Sequence, residues 1–164
     1  MQFGHSDDFA IEAEVTDNVG KWVYGTLIFH VNGEVVGNAD DAADLLGCRH
    51  WLRSFLARVR LPADDALGVM TPEEFFAVVF DPVMAGGNAA TARYPDAFRR
   101  FSISHLGMSS FDRFDLLLVP LRGGDRLLWR EAGKDPLAHD IALGLFRRAV
   151  EACVDWMDST LPGP

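Results

Sequence analysis

The hydrophobic and polar positions of residues 22–37, WVYGTLIFHVNGEVVG, describe a β-hairpin that lacks a polar face. Asn32-Gly33 predicts a two-residue turn, because both residue types tolerate positive φ. Pairing Val31 with Glu34 puts Val23, Leu27, Phe29, Val31 and Val36 on one face, and alternation puts Trp22, Tyr24, Thr26, Ile28, His30 and Val35 on the other. A half-exposed hairpin shows one polar face. The second row therefore needs cover, either from the protein's own helices or from another molecule.

The rest of the chain reads as strands interrupted by helices. FAIEAEV (9–15) alternates as a half-buried strand, and DNVG (17–20) turns it into the hairpin. Residues 40–59 change to helical spacing, with Leu45, Leu46, Leu52, Phe55, Leu56 and Val59 in one stripe. Asp40, Asp41 and Asp44 lie in the first turns of this predicted helix and Arg53, Arg58 and Arg60 near its end, which suits the helix dipole. Thr71-Pro72-Glu73-Glu74 is a capping-box start for a short helix over 72–80. FSISHL (101–106), FDLLLVPL (114–121) and RLLWRE (126–131) read as strands, the last two joined by a turn at 122–125. Residues 136–160 fit an amphipathic helix roughly 35 Å long. The order predicts an α+β fold: a mainly antiparallel sheet of about six strands packed with two long helices and one short helix. Segments 22–31 and 114–121, apolar on both faces, are expected to be central. We expect one domain over 1–164, with loose tails at 1–8 and 160–164.

Composition narrows the function classes. At 164 residues the chain can bury about 70% of its unfolded surface. No apolar run approaches the roughly 20 residues that span a bilayer, and MQFGHSDD has no signal-peptide pattern. Cys48 and Cys153 fall in helical segments as small core residues, and with no disulfide framework the expected location is cytoplasmic. The net charge of −9 is concentrated early: residues 1–47 hold nine acids (Asp7, Asp8, Glu12, Glu14, Asp17, Glu34, Asp40, Asp41, Asp44) against Lys21, a net −8. Nucleic acid and membrane are therefore poor partners, whereas such a field steers a basic protein toward it.

The search for chemistry returns no catalytic or metal constellation and implies no cofactor. Glu12 and Glu14 lie about 7 Å apart on one strand face, a spacing open to acid–base or metal work and equally usual on a wet strand. The histidines at 5, 30, 50, 105 and 139 show no i, i+4 pair, and neither cysteine is in a Cys-x-x-Cys. Cys48-Arg49-His50 and His139-Asp140 are sequence neighbours on predicted helices and so point apart. Gly107-Met108-Ser109 lacks the full nucleophile-elbow pattern, and Ala85-Gly86-Gly87-Asn88 lacks the Lys-Ser/Thr of a phosphate loop.

Several features line up across the chain. An acidic first strand precedes WVYG (22–25), then an NGE turn and Val36-Gly37. FSIS (101–104) precedes Gly107, FDRFDLLLV (111–119) and RLLWRE, ahead of Phe146 and Val150. This resembles the immunity protein 42 family of bacterial polymorphic toxin systems; residues from about 60 to 95 carry none of the likeness. The resemblance implies a non-catalytic cytoplasmic protein that binds and blocks a cognate toxin domain, and the acidity suits a basic toxin such as a nuclease. The residues expected to meet it are Glu12, Glu14, Trp22, Tyr24, His30, Glu34, Asp40, Asp41 and Asp44. Two other readings stand beside this one: an adaptor or assembly domain for an unrelated protein, and a small hydrolase using Glu12/Glu14 with the Ser104–Ser110 segment.

Overall fold

A computed structural model describes residues 1–58, 61–86, 94, 96–103 and 109–162. The opening strands build an antiparallel sheet: β1 (Gln2–His5), β2 (Phe9–Val19), β3 (Trp22–Val31) and β4 (Glu34–Val36) in that order, with β5 (Ala43–Asp44) beside β4 on the outer edge of β3. Val31 pairs with Glu34, and Asn32 and Gly33 take φ values of 51° and 78°, the doubly left-handed turn that the strand twist favours. The expected hairpin faces follow from that register. Gly25 is required where it stands, since a Cβ there would collide with the Glu14 carbonyl oxygen and crowd a Leu45 methyl.

One face of this sheet makes the main core. Phe9, Ile11, Leu27, Phe29 and Val31 are fully buried there, packed with α1 (Leu45–Ala57) and the long α6 (Leu145–Thr160). Phe146 stacks on Phe9 at 4.6 Å and meets Phe55 edge-on at 5.3 Å, tying both helices to β2. A second antiparallel sheet, β6 (Phe114–Pro120), β7 (Gly124–Glu131) and β8 (Leu137–Ala142), closes the same core with Leu116, Leu127, Trp129 and Ile141. Its far face, carrying Leu117, Val119 and Leu128, packs against Leu67, Phe75, Phe76, Val79, Phe80 and Phe101. These come from α2 (Asp65–Gly68), α3 (Pro72–Phe75), a π-helical stretch at Phe76–Phe80, and α5 (Ala97–Phe101).

The α+β antiparallel class stands, with the strands divided between sheets of five and three. Several local expectations need correction. The segment 1–8, expected to be loose, contains β1, paired with β2 from Gln2↔Glu12 to His5↔Phe9. At the other end Leu161 is buried, and the Pro162 carbonyl accepts from the Arg49 guanidinium at 3.1 Å. The final helix begins at Leu145, not near 136: residues 137–142 form β8, because their spacing fits an edge strand as well as a helical stripe. The first helix begins at Leu45, with Asp44 as its N-cap and Asp40 and Asp41 in the turn before it. Phe101 ends a helix, and Ser102 makes a single bridge to Leu117; the remainder of the expected strand, 104–106, lies outside the described residues. Thr71 and Glu74 form the capping box, but the helical run passes Asp81-Pro82 into α4 (Asp81–Met84). The wide π turn precedes Pro82, which has no N–H to give to the preceding helical turn. β6 was expected to be central; both its faces are covered, but the central strand of that sheet is β7. No described helix is long and apolar enough to cross a membrane.

Candidate partner-binding face

The outer face of the five-stranded sheet answers the question of cover. Helix 72–80 packs on the three-stranded sheet, and α1 and α6 occupy the inner face. The row Trp22, Tyr24, Thr26, Ile28, His30 faces outward: Trp22 is 45% exposed, Tyr24, Thr26 and His30 are half-buried, and Ile28 is covered. Gly37 passes close to Ile28: a Cβ there would stand 3.2 Å from both the Ile28 side chain and the Phe111 ring.

Cross-strand register decides which acids join this row. Glu12 lies opposite Ile28 and Glu14 opposite Thr26, so both project from the outer face. A bulge between Val15 and Asp17 adds one residue, Thr16, to β2. Simple alternation from Glu12 and Glu14 would turn Asp17 and Val19 inward. The extra residue reverses that parity, placing Asp17 opposite Tyr24 and Val19 opposite Trp22. Tyr24 is also in register with Asp44 of β5 and so lies between two carboxylates.

Each acid has its own local role. The Glu12 carboxylate is 2.7 Å from His30 Nε2, a pair that spans the two central strands. Glu14 is exposed. Asp44 accepts from the Leu46 N–H at 3.1 Å and caps α1. Asp41 accepts from the Asn38 side-chain amide at 2.9 Å, and the Asp40 N–H donates to the Asn38 side chain. Glu34 does not join the face: its register with Val31 puts it on the core side of the sheet, exposed at the hairpin tip. The structure thus brings Glu12, Glu14, Trp22, Tyr24, His30 and Asp44 together, with Asp40 and Asp41 in the adjoining turn.

Sequence reasoning missed Asp17 and Val19, because it ended the strand at Val15 and read 17–20 as the turn. The turn is Gly20-Lys21, with Gly20 at φ 62°; a glycine leading a two-residue link was the available signal.

The groups weighed for catalysis are engaged elsewhere. Ser110 donates its hydroxyl to the Leu27 carbonyl and Ser109 to the Ala42 carbonyl, while residues 104–108 lie outside the described residues. His139 reaches Asp8 at 3.0 Å, and Asp140 turns the other way to Arg126. Burial pushes the thiols of Cys48 and Cys153 up to about 12, so neither is a thiolate near neutral pH. Among the described residues no group of three His, Cys, Asp or Glu side chains is placed to hold a metal. What the outer face offers is an aromatic and acidic surface.

No curated protein matches this sequence. The crystal structure of CdiI from Burkholderia dolosa AUO158 has a similar fold, with a TM-score of 0.73 over 95% of this chain and 99% of that one, at 15% identity. The model of immunity protein 42 matches residues 1–156, and the chain belongs to that family of toxin-neutralising immunity proteins.

Proposed function

We propose that this protein neutralises its toxin by binding alone, in the cytoplasm, through the outer face of the five-stranded sheet and the acidic turn beside it. The observation that supports this reading is the incompletely covered outer face of β3 and β4. Trp22 and Val35 remain 45% and 52% exposed on a sheet whose other face builds the main core. Exposed aromatics framed by charge are the usual anchors of a protein interface, since burying them on association recovers the hydrophobic free energy that folding left unused. The acids Glu12, Glu14, Asp17 and Asp44 around that row suit a basic toxin domain, such as a nuclease that must attract phosphate.

The test is co-expression with the toxin domain encoded in the adjacent reading frame. Growth should be rescued, and the two chains should co-purify as a stable complex with no modification of either by mass spectrometry. Rescue without a complex, or a covalently altered toxin, would contradict binding as the mechanism.

A further inference from the structure

The β2–β3 hairpin does not end with its sheet. The first strand and Met1 before it bond to β2 as far as Ala13, and β5 reaches β3 only at Tyr24 and Gly25. Beyond those levels Asn18 and Val19 pair with Val23 and Trp22 and, among the described residues, with no other strand. All seven residues from Thr16 to Trp22 are exposed, whereas Val23 is buried at the base. The result is a short two-stranded arm that extends roughly 7–10 Å past the sheet, at about 3.3 Å per residue. Its outer side carries Val19, 54% exposed, directly opposite Trp22. Lys21 lies over the indole, with Nζ 5.2 Å from the ring centroid. Val23 packs the inner side of the arm into the core, but the exposed tip beyond it, Val19 and Trp22, costs stability and increases the risk of aggregation.

Resting on the reading that the protein is a binding inhibitor, we infer that the arm is its anchor. Val19 and Trp22 enter a concave site on the toxin domain whose floor is apolar and whose rim is basic. Charge complementarity identifies that rim: Glu14 and Asp17 stand on the same outer side as Trp22, within a segment whose net charge is −8, while the other 117 residues are nearly neutral at 15 acids against 14 bases. The arm's shape fits a cleft better than a flat patch, because its two strands offer a narrow ridge with side chains at the end. The bulge at Thr16 is what aims it, since without the extra residue Val19 and Asp17 would face inward. Lys21 protects the indole in the free protein through a cation–π contact and must swing aside, or find an acid on the partner, when the tip is buried.

The experiment measures affinity for the toxin domain encoded in the adjacent reading frame, by calorimetry, with thermal unfolding of each variant as a control. Trp22→Ala and Val19→Ser should each weaken the complex by at least about 30-fold, with unchanged melting temperatures. Val69→Ser, at an 83% exposed site beside the three-stranded sheet, should change nothing. Amide hydrogen exchange of the unaltered protein supplies a readout free of mutation: residues 16–22 should gain protection in the complex. Tight binding with no loss in either arm variant and no protection at 16–22 would overturn the anchor and leave neutralisation by binding intact. Failure of the unaltered chain to bind would remove both. A concentration-dependent dimer abolished by Trp22→Ala would assign the arm to self-association and overturn the inference.

Discussion

Ser110 donates its hydroxyl to the Leu27 carbonyl at 2.9 Å, at the level of β3 left unpaired between β4 and β5. With the Ser110 carbonyl accepting from Asn38, the short turn at Ser109–Phe111 takes the place of a strand neighbour. Replacing Ser110 by Ala leaves a buried acceptor without that donor, and should cost about 1–3 kcal/mol of stability. Urea unfolding should show a lower midpoint at constant slope, while toxin affinity stays unchanged. A Ser110→Ala protein that retains its stability would show that water replaces the hydroxyl.

Asp44 has two separable properties, a cap and a charge. Asp44→Ala removes the acceptor for the Leu46 N–H and should destabilise the protein by about 0.5–2 kcal/mol. Asp44→Asn keeps the acceptor, so its melting temperature should stay close to that of the parent. If both variants melt alike, the cap contributes nothing measurable.

Charge on the outer face should act on the rate of encounter. Reversing Glu14 and Asp40, both exposed, is expected to slow association with a basic toxin domain and flatten its dependence on ionic strength, with little change in dissociation. Stopped-flow mixing over a salt series reads this directly. An unchanged salt slope would eliminate steering by these acids.

Arg126 reaches across from β7 to Asp140 of β8, at 2.5 and 2.9 Å, and also donates to the Gly68 and Met70 carbonyls. The Arg126 hydrogen bonds hold the Asp140 carboxyl below its ordinary value of 3.8. A carboxylate depressed in the folded state contributes stability that is present above the unfolded value and lost as pH falls through the folded one. Acid unfolding should therefore steepen below about pH 3.8, and Asp140→Asn should soften that limb. The effect is small because Asp140 is more than half exposed.

The two thiols should be silent. With both raised to about 12 by burial, iodoacetamide at pH 8 should leave Cys48 and Cys153 unmodified in the native protein and alkylate both in denaturant. Mass spectrometry counts the adducts, and rapid native labelling would place a thiol at the surface.

Much of the fold was legible because its signals are local. Thr71, Pro72 and Glu74 specify a helix start within four residues, and the cap hydrogen bonds are found where that motif puts them. The segment 137–142 was misread for an equally local reason. LAHDIA offers apolar positions that fit a helical stripe or an edge strand, and pairing with the preceding strand β7, which the side-chain spacing alone does not reveal, selects the strand. Arg130 is a further case: nothing in RLLWRE indicates that its guanidinium sits over Phe76 and Phe80 and pairs with Asp81 and Asp115.

The hairpin at 22–37 separates the two kinds of information. Asn32-Gly33 sets the turn, the turn sets the register, and a period of two then sorts every side chain onto one of two faces. All of that follows from neighbours in the chain. Which face is covered depends on where α1, α6 and the second sheet dock, and whether Asp17 and Val19 face outward depends on one unpaired residue at Thr16. Packing is a competition among distant apolar surfaces, and a bulge is resolved only when two strands align. The sequence alone therefore determined the row from Trp22 to His30, and the tertiary structure alone decided that it faces outward.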